Sequence, residues 1–141
     1  MNVDKTINKL GETFTEASTN HHLTEKIISC AFKVSNTLGS GFLEKVYENA
    51  LAHELRKADL HVEQQYPKQV FYDGVIVGDY IADLLVENQV IVEIKTVETL
   101  TDVHMAQCLN YLKATNLHIC LLLNFHRPKV QIKRIVHNLT E

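Results

Sequence analysis

The chain has 141 residues, 45% of them apolar and 22% charged, and its formal net charge is −3. That length suits one domain with a core of its own, and the composition excludes wholesale disorder. The mildly acidic total excludes a uniformly basic coat but not a local cationic face: residues 1–102 carry nine basic and sixteen acidic side chains, whereas residues 103–140 carry Lys113, Arg127, Lys129, Lys133 and Arg134 and no acid.

Residues 3–17 place Val3, Ile7, Leu10, Phe14 and Ala17 at spacings of 4, 3, 4 and 3, one narrow apolar stripe on a helix. Gly11 weakens that helix by about 1 kcal/mol relative to Ala. The stripe either packs on its own domain or makes a homodimer contact. Residues 17–22 read as a polar linker, which divides the chain into an N-terminal extension over 1–22 and a main domain over 23–141. A second helix is expected over 23–38, with Thr24 as its cap and Ile27, Ala31, Val34 and Leu38 as its stripe. Gly39-Ser40-Gly41 ends it and opens a third helix over 42–58, with Leu43, Val46, Ala50 and Leu51 facing inward. Residues 59–67 read as a connection.

The period then changes. Residues 69–72, an Asp73-Gly74 turn and residues 75–77 read as a hairpin. Gly78 interrupts the run. Residues 80–86 and 90–97 are rich in Val, Ile and Leu, which suits buried strands. Residues 101–115 are helical, 117–125 form a nearly all-apolar central strand, Pro128 breaks the chain, and 130–136 alternate as a last strand. Helices, an antiparallel meander, a helix and further strands make a layered α/β domain.

Several features carry no chemistry. No run of about 18 apolar residues is present, so no transmembrane helix is expected. The polar start, Met1-Asn2-Val3-Asp4-Lys5, lacks the apolar stretch of a secretion signal. Cys30, Cys108 and Cys120 are far apart, set among apolar residues and without a CxxC spacing, which reads as core thiols of a reducing cytoplasm. The eight histidines follow no metal-binding spacing, and no Walker loop follows Gly39.

Three charges interrupt strands that otherwise look buried. Glu93 and Lys95 are two apart, so they share one face, and Asp83 sits between Ala82 and Leu84. Burying a charge costs several kcal/mol unless it is paired or metal-bound. A three-residue loop at 87–89 sets Val86 opposite Val90 and Asp83 opposite Glu93. A two-residue loop sends Glu93 to the other face. In the first register two carboxylates and an ammonium cluster, and opposed carboxylates repel unless a cation lies between them. All-oxygen donors suit magnesium or manganese better than zinc. Glu44 in the first turn of the third helix is a further candidate, although with Gly41 as N-cap it also reads as a capping carboxylate at N3. Gln107 and Tyr111, four apart, project from one face of the helix over 101–115.

Asp83 followed by Glu93-Ile94-Lys95 resembles the D…ExK half of the PD-(D/E)XK nuclease pattern, with Ala82 where Pro is usual. Gly41-Phe42-Leu43-Glu44-Lys45-Val46-Tyr47 is similar to the signature of the GxxExxY family, and Gln107 and Tyr111 resemble the QxxxY motif of the RecB-like branch. The resemblance covers roughly residues 23–138. It implies a restriction-endonuclease-like core, a mixed sheet flanked by helices, here with an extra N-terminal helix. It implies a metal held by Asp83, Glu93 and the Ile94 carbonyl, with Glu44 as a further ligand. Many RecB-like relatives have histidine near that last position, and related four-cysteine iron–sulfur nucleases have a cluster this chain lacks.

The expected activity is metal-dependent hydrolysis of DNA, or of RNA, with Mg or Mn as cofactor. Lys95 would orient water or stabilise charge, Gln107 and Tyr111 would position the reactants, and Arg127, Lys129, Lys133 and Arg134 would contact phosphates. Two other readings stand beside it: a non-catalytic nucleic-acid-binding or protein-interaction module on a nuclease scaffold, and a dimeric enzyme acting on branched nucleic acid.

Overall fold

The computed structural model describes residues 5–7 and 13–139, and side chains from 21 to 139. The helix expected over 3–17 is not what forms there. Lys5–Ile7 (β1) and Thr13–Thr15 (β2) pair antiparallel, and Val3 and Leu10 lie outside the described residues. Thr13-Phe14-Thr15 favours extended backbone, and Gly11 disfavours a helix through the middle of the segment. The expected linker is helical as well: α1 runs without a break from Glu16 to Leu38. Thr24 is therefore inside the helix and returns its hydroxyl to the His21 carbonyl instead of capping.

Helix α2 spans Glu44–Lys57, with Leu43 at the N-cap. Glu44 is thus the first helical residue and not the N3 residue of a Gly41 cap. Strand β3 spans Val62–Tyr72 and β4 spans Val75–Val86, so most of the expected connection is strand. Gly78 does not break β4. It pairs with Val70, and a bulge between there and the Phe71↔Ile76 pair absorbs one residue. Strand β5 (Val90–Lys95), helix α3 (Asp102–Thr115), strand β6 (Ile119–Asn124) and strand β7 (Gln131–Val136) complete the domain.

The five strands β3 to β7 form one mixed sheet in the order β3-β4-β5-β6-β7, antiparallel except for the parallel pair β5–β6. A parallel pair needs a crossover, and α3 is that crossover. Alternation along the strands divides the apolar residues between two faces. Leu84, Val86, Val90, Val92 and Ile94 pack with Leu121 and Leu123 against Ile27, Ala31, Leu51 and Leu55 of α1 and α2. Leu85, Ile91, Cys120 and Leu122 pack against Cys108, Tyr111 and Leu112 of α3. Glu93 and Lys95 share the parity of the second set and face α3, whereas the alternation of β4 breaks at Asp83, between Leu84 in the first set and Ala82 in the second. Cys30, Cys108 and Cys120 are free thiols, and the last two are buried.

Beyond the sheet, β3 and β4 continue as a two-stranded ribbon. β5 pairs with β4 only from Leu84 to Val86, whereas β3 pairs with β4 as far as Tyr72↔Val75. Phe71, Tyr72, Val75, Ile76 and Val77 are exposed near the ribbon tip. No helix among the described residues is long and apolar enough to cross a membrane.

Candidate metal and nucleic-acid site

The turn between β4 and β5 sets the register of the site. Glu87 and Asn88 both have positive φ, 54° and 53°, and the Gln89 N–H donates to the Val86 carbonyl at 3.0 Å. This is a tight two-residue turn of the kind that matches strand twist, with Gln89 as one extra residue. Glu87 tolerates its conformation because its N–H donates to the His61 carbonyl at 2.8 Å and its carboxylate accepts the His61 N–H at 3.3 Å. The pairs that follow are Val86↔Val90, Leu85↔Ile91 and Leu84↔Val92. The three-residue register is the one adopted, and it aims Asp83 and Glu93 at the same side.

The ladder ends there. Past Leu84↔Val92 the strands part, and Asp83 Oδ2 accepts the Ile94 backbone N–H at 2.8 Å. Burial, the Asp83 charge and the Cys108 thiol, in decreasing order, push the Glu93 carboxyl up to about 9, with Lys95 pulling the other way. Its Oε1 is buried and has no hydrogen-bond partner, and neither has the buried Tyr111 hydroxyl. Burial, then the Glu93 and Asp83 charges, hold the Tyr111 phenol above its ordinary range. Lys95 is half-buried and belongs to no salt bridge among the described residues.

Glu93, Lys95 and Tyr111 border a pocket of about 230 Å³ whose lining also includes Asp79, His104, Gln107 and Cys108. Gln107 and Tyr111 do meet Glu93 and Lys95, as their shared helix face requires. His104 joins them, and sequence reasoning passed over it. Its signal was its place three and seven residues before Gln107 and Tyr111, on the same stripe. Its Nδ1 accepts the Thr101 N–H at 3.0 Å, which orients the ring at the start of α3. The Tyr80 ring packs on Tyr111 with centroids 4.9 Å apart.

Glu44 is not brought to this group. It is exposed, and no hydrogen bond or ion pair among the described residues joins it to Asp83 or Glu93. Glu48, one turn later, is 3% exposed and belongs to the buried stripe Tyr47, Glu48, Leu51, Ala52 and Leu55. An acid within an apolar helix stripe is the same signal that singled out Glu93 in its strand, and it was legible in the sequence. Lys45 Nζ donates to both Glu48 oxygens at 3.1 and 3.2 Å, Gln64 Nε2 to Oε2 at 2.8 Å and Gln65 Nε2 to Oε1 at 2.7 Å. The Gln65 amide also approaches Asp83 Oδ1 at 3.4 Å. Gln65 has a φ of 54° inside β3, a left-handed conformation that costs a non-glycine residue about 1–2 kcal/mol.

Gly41 and Tyr47 have a structural place. Gly41 has a φ of 106°, which favours glycine. The fully buried Tyr47 donates its hydroxyl to the Gly39 carbonyl at 2.7 Å and accepts the Phe42 N–H at 3.2 Å. Its ring stacks on Phe125 at 4.6 Å. The pair pins the glycine turn to the end of β6.

The four late cations do not share one face. Arg127 and Lys129 are exposed between β6 and β7, where Lys129 Nζ lies 5.7 Å from the Phe32 ring centroid. Lys133 and Arg134 are consecutive in β7 and so leave opposite faces of the sheet. A different groove, of about 530 Å³ between the ribbon and α3, is lined by Lys68 and Lys113 with Phe71, Tyr80 and Asn110, and no acid lines it. It shares Tyr80 with the pocket beside Glu93.

Among the described residues, no three His, Cys, Asp or Glu side chains are gathered around one metal position. The donors present are carboxylate oxygens, one of them buried without a partner, which is the hard set a magnesium-like or manganese-like ion takes. The residues therefore fit a divalent ion held by Asp83 and Glu93.

Over residues 21–135 the chain matches a family model described as the PD-(D/E)XK nuclease superfamily. Comparison with the curated proteins and with the solved structures gives no match. The mixed five-stranded sheet between helices is the architecture that such a nuclease core requires.

Proposed function

The chain belongs to the PD-(D/E)XK nuclease superfamily, and from that membership we propose that it is a divalent-metal-dependent nuclease hydrolysing phosphodiester bonds of DNA, with RNA as the second substrate class. The observation that carries this reading is the opposition of Asp83 and Glu93 where β4 and β5 part, with Lys95 on the same face and Glu93 Oε1 buried without a partner. Nucleases of this superfamily generally use divalent ions. Asp83 and Glu93 would hold magnesium or manganese, with the Ile94 carbonyl as the backbone oxygen that the family pattern adds.

When bound there, such an ion supplies charge neutralisation toward the scissile phosphate and a lowered pKa for water. The protein's own groups do the rest. Asp83 is fixed by the Ile94 N–H, so its second oxygen stays aimed at the site. Lys95, free of ion pairs, presents its ammonium to the developing negative charge. Gln107 and the Tyr111 hydroxyl orient water or a phosphate oxygen by hydrogen bonding. The groove holding Lys68 and Lys113 suits the substrate backbone, with Phe71 and Tyr80 offering ring faces to unpaired bases. Arg127 and Lys129 add phosphate contacts at the end of the sheet where Lys95 lies.

The Gly41…Tyr47 and Gln107…Tyr111 motifs support the narrower assignment to the GxxExxY family and a RecB-like arrangement, and the three free thiols support action in a reducing cytoplasm. The test is direct. Purified protein with magnesium or manganese should cleave plasmid or single-stranded DNA, and Glu93→Gln and Lys95→Ala should each abolish cleavage while leaving the circular dichroism unchanged. Cleavage by both variants at the parental rate overturns the site.

A further inference from the structure

The first turn of α3 holds a histidine whose hydrogen is placed by the fold. Thr101 is the N-cap of α3 and His104 its third helical residue. The Thr101 backbone N–H donates to His104 Nδ1 at 3.0 Å. A backbone N–H can only donate, so Nδ1 accepts and the neutral ring carries its hydrogen on Nε2. The Thr101 hydroxyl stands 3.3 Å from the same Nδ1 and holds the ring from that edge too. Nε2 has no hydrogen-bond or ion-pair partner among the described residues. His104 is half-buried and lines the pocket together with Glu93, Lys95 and Gln107.

That tautomer restricts what the ring can do. With Nδ1 occupied it has no free lone pair, so it cannot take a proton from water as a general base does. It offers the pocket one N–H donor, and a donor needs an acceptor. The carboxylates on the pocket wall, Asp79 and Glu93, form no hydrogen bond or ion pair with it. A phosphodiester supplies the acceptors, as two non-bridging oxygens that share a negative charge. The surroundings suit one. Lys95 lines the same pocket without a salt bridge, and the first turn of α3 adds the positive end of the helix dipole. A phosphate drawn to a cation at the strand carboxylates needs donors from the helix wall.

We propose that His104 grips the substrate phosphate, its Nε2–H donating to a non-bridging oxygen of the phosphodiester in the pocket. This rests on the reading of the site as a nuclease centre. It gives that centre a substrate-holding residue on α3 and leaves Lys95 to the developing charge.

Three variants and a sulfur substitution test this on the full chain with magnesium or manganese, with melting temperature read alongside. His104→Ala removes both the donor and the partner of the Thr101 N–H. It melts lower, and kcat/KM falls about tenfold to a hundredfold, the worth of a hydrogen bond to a charged group. His104→Glu keeps the cap, since glutamate at N3 accepts the N-cap N–H, and so keeps the melting temperature. It has no N–H to offer and cleaves no better than the Ala variant. His104→Gln keeps both the cap and an N–H donor and recovers most of the loss. Sulfur is a weak acceptor. In oligonucleotides with stereopure phosphorothioate linkages, one diastereomer slows the parent and slows His104→Ala little further, because the contact is already gone and the two losses do not add. Cleavage by His104→Glu at the parental rate, or losses that add for both diastereomers, makes His104 a cap alone and overturns the grip while leaving the nuclease site standing. A parent protein that cleaves neither DNA nor RNA overturns the nuclease reading itself, and the grip with it.

Discussion

Asp83 Oδ2 accepts the backbone N–H of Ile94 at 2.8 Å, one step past the last β4–β5 ladder pair. A side-chain oxygen thus replaces a strand carbonyl, and the two strands open without leaving a buried donor unpaired. The opening is what lets the carboxylates of Asp83 and Glu93 face a common space. The strand end and the site are consequences of one hydrogen bond.

Asp83→Asn and Asp83→Ala should therefore separate structure from chemistry. Asn retains an acceptor oxygen for Ile94, so its melting temperature stays near that of the parent. Ala leaves the Ile94 N–H unpaired at a cost of about 1–3 kcal/mol. Both lose cleavage, because neither carries the charge. Thermal melts with a cleavage assay check the two parts independently.

Glu93 links metal affinity to pH. Its carboxyl is raised to about 9 in the metal-free fold, so below that pH a proton must leave before the oxygen can serve a cation. Manganese affinity should rise roughly tenfold per pH unit between about pH 5 and 9 and level off above. Calorimetry in buffers of different ionisation enthalpy should detect about one proton released per ion bound below pH 8.

The same shift governs stability with the opposite trend. Between the ordinary carboxyl range and about 9, the folded state keeps a proton that the unfolded chain has lost. Glu93 therefore contributes most at low pH, and metal-free stability falls as pH rises through that window. Glu93→Gln, which cannot ionise, should raise the melting temperature of metal-free protein at pH 8.5 and change it little at pH 5. A loss of stability at both pH values contradicts this account.

Tyr47 should prove structural. Tyr47→Phe removes the hydroxyl bridge between the Gly39 carbonyl and the Phe42 N–H, at a cost of about 0.5–1.5 kcal/mol. Tyr47→Ala also vacates the space against Phe125 and costs about 3–5 kcal/mol. Denaturant melts give both values. Cleavage per folded molecule of the Phe variant stays at the parental level.

The groove beside the pocket makes a salt-dependent claim. Replacing Lys68 and Lys113 together by Ala should weaken binding to single-stranded DNA and lower the slope of log affinity against log salt by about 2, one for each phosphate no longer neutralised. The paired change at Lys133 and Arg134, which leave opposite faces of β7, should lower that slope by less. Fluorescence anisotropy on the cleavage-deficient Glu93→Gln protein reads both.

Periodicity and composition sufficed for what is local. The apolar runs of β4 and β5, the alternation of β7, the helical stripe of α1 and α3, and the presence of Asp83, Glu93 and Lys95 among apolar neighbours were all readable in the chain. The loop length at 87–89 even framed the right register, since one residue more or fewer flips every side chain to the other face. The N-terminal segment misled because a stripe at spacings of 3 and 4 is a weak signal beside the extended preference of Thr13-Phe14-Thr15.

Only the tertiary structure decided which acid of α2 is buried. Glu44 and Glu48 are one turn apart on α2, and local pattern alone favours the exposed one for its place in a motif. Packing against the sheet buries Glu48 and exposes Glu44, and the left-handed turn at Gln65 carries the connection to Asp83. A backbone torsion held by its strand neighbours leaves no mark in residue spacing. The sequence determined that carboxylates would meet near the end of a buried strand. The fold determined which helix carboxylate is buried and where β4 and β5 part beside Asp83 and Glu93.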